Sequence, residues 1–189
     1  MQAATEPCSA IWGKAVAHTE GLNYTTEWWA SDFLTGGSAS TVTSTTVKLV
    51  SGDVIDHHFT ASIYTDSGGA PGTLVGSFST ITLAAGAGPA NYTGTSAGIS
   101  LAAGTTYWEV LRVNEDLNSG GSGWLHTSSN ATDAGSVFTT VPATQVQFSG
   151  DSGTSWLDSD LGTPCSRLMW HQFPSFPPRP CCSRSRSQL

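Results

Sequence analysis

Charge is scarce in this sequence, and long apolar runs are absent. Only 11% of its 189 residues are charged, which is too few for a charge-rich disordered chain. No stretch reaches the roughly 18 apolar residues of a membrane-spanning helix, and no window keeps an amphipathic helical period beyond a turn or two. The beginning of the sequence lacks the basic start and apolar centre of a signal peptide. We therefore expect neither a helical bundle nor a membrane span in the sequence as it stands.

Basic residues are few and unevenly placed. All fourteen acidic residues lie between Glu6 and Asp160, whereas only three of the seven basic residues lie in that stretch. This body of the chain therefore carries a net charge of −11, and four arginines follow it. A body this acidic repels phosphate backbones, so we do not expect nucleic acid as a partner.

The cysteines cannot form a set of disulfide bonds within the body of the chain. Cys8 stands alone in the first part of the chain, and the other three cysteines are Cys165, Cys181 and Cys182. A disulfide-stapled domain needs an even set of cysteines within it. The sequence therefore does not indicate a disulfide-stapled fold, and we predict no cofactor.

Glycine, with 21 residues, and threonine and serine fill much of the space between apolar positions. This mixture favours pleated strands and tight turns. In residues 57–65, Phe59, Ala61 and Ile63 alternate with more polar residues, as in a sheet with one solvated face. The run Asp66–Gly72 follows, with three glycines and a proline suited to a compact turn into the next strand.

Strand signals recur at intervals of about 8–12 residues, which is typical of all-β sandwiches. The stretch 105–113 is apolar on both faces and is therefore predicted to be a central strand. We predict an all-β fold, an antiparallel β-sandwich or jelly-roll-like single domain over residues 26–162. The predicted strands cover residues 28–33, 41–50, 57–65, 73–79, a short strand at Tyr92, 99–104, 105–113, 124–128, 136–140 and 144–148.

Both ends of the chain differ from this body. Residues 1–25 are irregular, with Ile11 and Trp12 as candidate anchors of a short first strand. Residues 163–189 are rich in proline, arginine and cysteine, with five of the nine prolines and no strand or helix period. This composition predicts a disordered tail.

Two motifs resemble functional sites, but we interpret both as structural elements of the fold. The segment Ser149–Trp156 fits the Asp-box pattern S-x-D-x-G-x-x-W, in which the Asp and Gly shape a turn and the Trp packs beneath it. We interpret it as a turn with Trp156 as a core anchor.

The second motif is a local cluster of metal-capable residues. It matches an oxygen-rich calcium loop poorly, and we interpret it as a solvated start of a strand. Its members are Asp53, Asp56, His57 and His58.

Seven tryptophans suggest a flat aromatic platform of the kind that stacks on sugar rings. Trp28 and Trp29 are adjacent in a predicted strand, so one of them should face outward. The same tryptophans also suit packing in the core and at strand edges, and both interpretations stay open. The candidate ligand-binding residues are Trp28, Trp29, Asp32, Trp124 and Asn130, with Trp108 as a further tryptophan of the set; we predict no catalytic residue and no metal ligand.

Five segments carry a family resemblance: Trp28–Gly37, Val42–Leu49, Ser62–Gly72, Leu101–Trp108 and Ser149–Trp156. In this order and spacing they resemble the choice-of-anchor R domain of bacterial surface and secreted proteins. The resemblance covers about residues 26–161. It implies an exported all-β domain with a short C-terminal sorting signal, often of the PEP-CTERM type, and it implies no catalytic residues.

The sorting signal that this resemblance implies is missing from the tail as written. Back-translated with GC-rich codons, residues 171–189 read from the third nucleotide as Pro-Val-Pro-Glu-Leu-Pro-Pro-Ala-Ser and then a run of Leu and Ala. We hypothesise a shift of reading frame at or after about residue 162. The nucleotide sequence tests this, since an alternative frame without an apolar segment contradicts it.

Composition and resemblance together favour a non-enzymatic, extracellular or cell-surface domain with a structural or adhesive role. The alternative is a carbohydrate-binding module that recognises exopolysaccharide through exposed tryptophans. Exopolysaccharide and cell-surface components are the expected partners.

Overall fold

A computed structural model describes residues 16–117, 121–127, 145–159, 163–164 and 166–171. Side chains are described for residues 21–117, 121–124 and 145–159, and elsewhere the backbone alone. The described strands form two antiparallel sheets, and no helix occurs in these ranges. The predicted all-β sandwich is confirmed.

Sheet A has six described strands and sheet B has seven. Sheet A contains β1 (Val16–Gly21), β3 (Ser40–Ser51), β7 (Ala90–Leu101), β9 (Ser122–Thr127), β12 (Thr163–Pro164) and β13 (Ser166–His171). Sheet B contains β2 (Trp28–Leu34), β4 (His57–Asp66), β5 (Pro71–Ser77), β6 (Ile81–Leu83), β8 (Thr106–Val113), β10 (Val146–Ser149) and β11 (Leu157–Ser159).

The main core lies between the two sheets and is built from alternate residues of each strand. On β4 the side chains of Phe59, Ala61 and Ile63 are fully buried, as the alternation predicted. From sheet A, Val47 and Leu49 of β3 meet them, also fully buried. Burial of this apolar area supplies most of the driving force for folding.

Strand β8 is central in sheet B, as predicted, because it pairs with β2 on one side and β4 on the other. Tyr107 and Leu111 point into the main core. Trp108 and Val110 are buried on the opposite face of the same strand. This two-sided burial explains the continuous apolar stretch in the sequence.

The run Asp66–Gly72 joins β4 to β5, as the turn chemistry predicted. The Ser67 N–H donates to the Ala70 carbonyl (2.8 Å), and Gly68 and Gly69 take φ values of 69° and 86°. A Cβ at Gly72 would lie 2.9 Å from Ser67 Cβ, so the turn has no room for a larger residue there. Gly68 and Gly69 are therefore required for their backbone conformation, and Gly72 is required because a side chain there would clash.

Several segments depart from the sequence predictions, and β6 and β11 lie where no strand was predicted. The stretch around Tyr92 and the stretch from Ile99 belong to one strand, β7, whose pairing with β3 is interrupted by a bulge. The bulge lets a strand continue through a Gly- and Ser-rich stretch that looked like a break.

The segment predicted to be disordered from residue 163 is paired as far as His171. Strand β12 pairs with β9. Strand β13 pairs with β3, from His171 opposite Thr41 to Ser166 opposite Val47. The missed signal is the short apolar run Leu168-Met-Trp170, which lies beside an edge of β3 that needs a partner. Residues 172–189, the first fifteen residues and the predicted strand 136–140 lie outside the described residues.

Candidate functional site

The outer face of sheet B carries a second group of aromatic side chains, separate from the main core. We call this group the outer aromatic cluster. It contains the buried residues Ala30, Trp108 and Val110 and the half-buried residues Trp28, Tyr64 and Trp156.

Strand register places these residues together. Ala30 of β2 lies opposite Val110 of β8, and Tyr64 of β4 lies opposite Trp108. Positions two residues apart on a strand share a face, so Trp28 and Ala30 project on the same side of the sheet. Neighbouring strands thus bring the aromatic residues of three separate segments onto one surface.

Trp28 is the centre of this cluster. Its ring lies 6.3 Å from that of Tyr64 and 6.5 Å from that of Trp156, with tilts of 54° and 58°. The guanidinium carbon of Arg112 lies 5.5 Å from the Trp28 ring centroid, a cation–π distance. The indole Nε1 donates to the Thr25 carbonyl (2.9 Å), which fixes the orientation of the ring.

The Asp66–Gly72 turn folds towards this face and is tied to it by two side chains. Trp108, which is fully buried, donates from Nε1 to Asp66 Oδ1 (2.8 Å). Gln147 of β10 donates from Nε2 to the Gly69 carbonyl (2.7 Å). The turn singled out in the sequence therefore forms one border of the outer face.

The Ser149–Trp156 segment forms the second border and is a turn, as predicted. Asp151 accepts from the Ser155 hydroxyl (2.6 Å), the Ser155 N–H (2.9 Å) and Ser149 Oγ (2.8 Å). These hydrogen bonds, those from Ser155 first, lower the pKa of Asp151 to about 2. Trp156 packs against Trp28 on the outer face, so it anchors the outer aromatic cluster and not the main core.

Asp32 lies on the same face, opposite Trp108 in the β2–β8 pairing. Its Oδ1 accepts from the Gln145 N–H (2.6 Å). Burial of the carboxyl raises its pKa to about 6, an effect that the hydrogen bond opposes and that the negative charge of Asp66 reinforces. Asp32 can therefore carry a proton in mildly acidic solution.

The structure separates the candidate binding residues. Trp28 and Asp32 share the outer face, whereas Trp29 and Trp124, with 7% and 0% exposure, lie in the main core. The Trp29 ring packs 4.9 Å from that of Phe148, so it presents no free face for a sugar. Of the adjacent pair in β2, Trp28 is the one that faces outward. Asn130 lies outside the described residues.

Three residues of the outer face were missed at the sequence level: Tyr64, Gln147 and Trp156. Tyr64 occupies an outward position of the alternating strand β4, and this was the available signal. The other two are brought to the face by the pairing of β10 with β2 and by the turn that follows β10. Strand order and register are not readable from alternation alone.

The interpretation of Asp53 and His57 as a solvated start of a strand is wrong. His57 Nε2 lies 3.1 Å from Asp53 Oδ2, and both side chains are almost fully buried. The outward neighbour His58 is exposed and lies 3.1 Å from Glu115 Oε1. The two histidines face opposite ways, as expected. His57 is buried because it shares the inward parity of Phe59, and Asp53 is its carboxylate partner in the interior.

The described residues contain no group of three or more His, Cys, Asp or Glu side chains placed to hold a metal ion. Glu109 of β8 lies on the inner face of sheet B. It is buried between the sheets and accepts a hydrogen bond from the Thr45 hydroxyl, while Arg112 lies on the outer face.

No protein-family model matches the chain, and no curated protein matches it. The resemblance to the choice-of-anchor R domain therefore stays a prediction. Within the described ranges, no helix has both the length and the apolar character needed to cross a membrane.

Proposed function

We propose that the chain is a non-enzymatic, exported bacterial surface or extracellular-matrix domain with an adhesive role, and that it binds carbohydrate through the outer face of sheet B. The observation that carries the proposal is the outer aromatic cluster with its half-buried rings of Trp28, Tyr64 and Trp156. Exopolysaccharide is the ligand class that fits an acidic, low-charge domain outside the cell.

The chemistry of this face supports sugar binding. Aromatic rings offer flat apolar faces to the C–H side of a sugar ring, and nearby polar groups bind its hydroxyls. On this face Asp32 offers a carboxyl and Arg112 a guanidinium. An antiparallel sheet of a sandwich usually leaves its outer face polar and solvated, so a cluster of four aromatic residues there exceeds what the fold requires.

A purely structural role is the second candidate, and one observation favours it. Trp108, Ala30 and Val110 are buried by the chain itself, because Trp28, Tyr64 and Trp156 pack against them. In that case the outer aromatic cluster is a satellite core that holds the turns in place. Export and surface location are supported in both cases by the sequence resemblance and the low charge.

The test is binding of the full chain to a panel of polysaccharides, measured by affinity electrophoresis. We expect Trp28→Ala to weaken binding at least about tenfold, the loss expected for one stacked ring. Val54→Ala is the matched control, because Val54 is 85% exposed in the connection between β3 and β4 and lies outside the outer aromatic cluster. Absence of binding to every polysaccharide by the unaltered chain contradicts carbohydrate recognition and leaves the structural role.

A further inference from the structure

Two residues of the outer face each carry a buried polar atom that has no hydrogen-bond partner among the described residues. One is Gln147 Oε1, an acceptor, and the other is Trp156 Nε1, a donor. Gln147 as a whole is 5% exposed. Because buried polar groups are nearly always satisfied, an unsatisfied acceptor and donor on one surface call for an explanation.

The orientation of the Gln147 amide is fixed by its other end. Nε2 donates to the Gly69 carbonyl (2.7 Å) and to Asp158 Oδ1 (2.9 Å). Rotating the amide by half a turn would place Oε1 against these two acceptors. The oxygen therefore stays an acceptor in need of a donor.

Both atoms belong to the face that is proposed to bind carbohydrate. Gln147 lies directly opposite Ala30, a member of the outer aromatic cluster, and Trp156 packs on Trp28. A hydroxyl group is both a donor and an acceptor, so it complements this pair of groups, whereas a purely apolar ligand satisfies neither.

We propose that Gln147 Oε1 and Trp156 Nε1 form a hydroxyl-binding subsite that determines which sugar the outer face accepts. This inference rests on the proposed carbohydrate-binding function. A sugar hydroxyl, or two neighbouring ones, donates to Gln147 Oε1 and accepts from Trp156 Nε1, while the sugar ring contacts Trp28. A site built to bind a hydroxyl discriminates strongly against a sugar that lacks it, because its own polar groups then stay unpaired.

Access to the subsite requires a local movement, because both atoms are buried in the ligand-free chain. The Asp66–Gly72 turn is the covering element beside Gln147, and its side-chain ties to this face are the hydrogen bonds from Gln147 and Trp108. Movement of this turn exposes Oε1 to the ligand, and the hydrogen bond from Nε2 to Asp158 Oδ1 keeps the orientation of the amide.

The experiment is isothermal titration of the full chain with hexasaccharides of glucose, mannose, galactose and xylose. The variant is Trp156→Phe, which removes the indole N–H and keeps an aromatic ring. We expect its affinity for the hexasaccharide that binds to fall about fivefold, the loss of one hydrogen bond. Its unfolding midpoint in urea should fall only modestly, because the phenyl ring keeps part of the packing against Trp28 and Nε1 makes no bond within the described residues of the ligand-free chain.

A second measurement uses monodeoxy analogues of the hexasaccharide that binds. One of them should bind the unaltered chain more weakly than the parent hexasaccharide does. The Trp156→Phe variant should bind this analogue and the parent hexasaccharide with equal affinity. If Trp28→Ala weakens binding while Trp156→Phe and every deoxy analogue bind normally, the subsite is wrong and the carbohydrate-binding face stands. If no hexasaccharide binds to the unaltered chain and no polysaccharide of the panel does, the carbohydrate-binding function itself is wrong.

Discussion

The two faces of sheet B are built from the same strands but are covered in different ways. The inner face is closed by sheet A, and Phe59, Ile63 and Leu111 there are fully buried. The outer face is bordered by two turns, and its rings at Trp28, Tyr64 and Trp156 stay half-buried. The difference separates apolar area that is closed inside the sandwich from apolar area that stays partly open to solvent.

The largest expected effect comes from comparing the two faces along one strand. Phe59 and Tyr64 both belong to β4, but Phe59 points inward and Tyr64 outward. We expect Phe59→Ala to lower the free energy of unfolding by about 3–5 kcal/mol, because it leaves a cavity in the main core. Tyr64→Ala should cost only about 1–2 kcal/mol, because its ring is half-buried and solvent can fill the space.

Urea unfolding followed by tryptophan fluorescence measures both variants. Similar losses for the two would mean that the outer aromatic cluster is as important for folding as the main core. In that case the distinction between the faces fails, and the structural role gains support.

An intermediate effect is expected where a turn meets the outer face. Gly153 has a φ of 81°, and a Cβ there would lie 2.7 Å from Trp28 Cζ3. Gly153→Ala should therefore cost about 2–4 kcal/mol, the sum of backbone strain and a clash with the ring. Gly68→Ala is the matched control, because Gly68 has a φ of 69° and open space around it, so strain alone costs about 1–2 kcal/mol.

Thermal unfolding of the two glycine variants gives the comparison directly. Equal shifts of the unfolding midpoint would show that the Ser149–Trp156 turn moves away from Trp28 without cost. The second border of the outer face would then be loosely attached.

The smallest expected effect is a dependence on pH at Asp32. Its pKa in the folded chain is about 6, above the ordinary value of 3.8, so the folded state binds the proton more tightly. Stability therefore falls as the pH rises from about 4 to 6, and Asp32→Asn removes this penalty while keeping an acceptor for the Gln145 N–H. At pH 7 the variant should gain up to about 1 kcal/mol, a small value because solvent screens a half-buried carboxylate.

The gain at Asp32 should disappear below about pH 4, where both forms are neutral. Asp151→Asn provides a control of opposite sign, since hydrogen bonds lower the pKa of Asp151 to about 2. That variant should lose stability at neutral pH, and its deficit should shrink as the pH falls from about 4 towards 2. A loss of stability at neutral pH in both variants would contradict the burial of the Asp32 carboxyl.

Much of the fold was predictable because it follows from alternation within single strands. Period-two alternation located the inward residues of β4, and the two-sided apolar run located the central strand β8. The turn Asp66–Gly72 was predictable from the conformational freedom of glycine. These signals are local, so a single sequence is sufficient for them.

The candidate site was predictable only in part, because it depends on contacts between distant segments. Parity along β2 showed that one of Trp28 and Trp29 faces outward, but not which one. The same alternation could not show that Trp124 faces the core, that Asp53 and His57 pair in the interior, or that Gln147 lies opposite Ala30. Strand β13 was missed because its apolar run is short and is followed by proline-rich sequence.

Strand β13 has a consequence for the time at which the domain can fold during synthesis. Ser166 pairs with Val47, and 119 residues separate them along the chain. At roughly 5–20 residues per second, the ribosome needs about 6–24 s to make this stretch. During that interval β3 can already pair with β7, but its other edge is open along the positions that β13 later covers. A newly made chain therefore passes through a period in which another strand can bind there, and protection by a chaperone would matter most in those seconds.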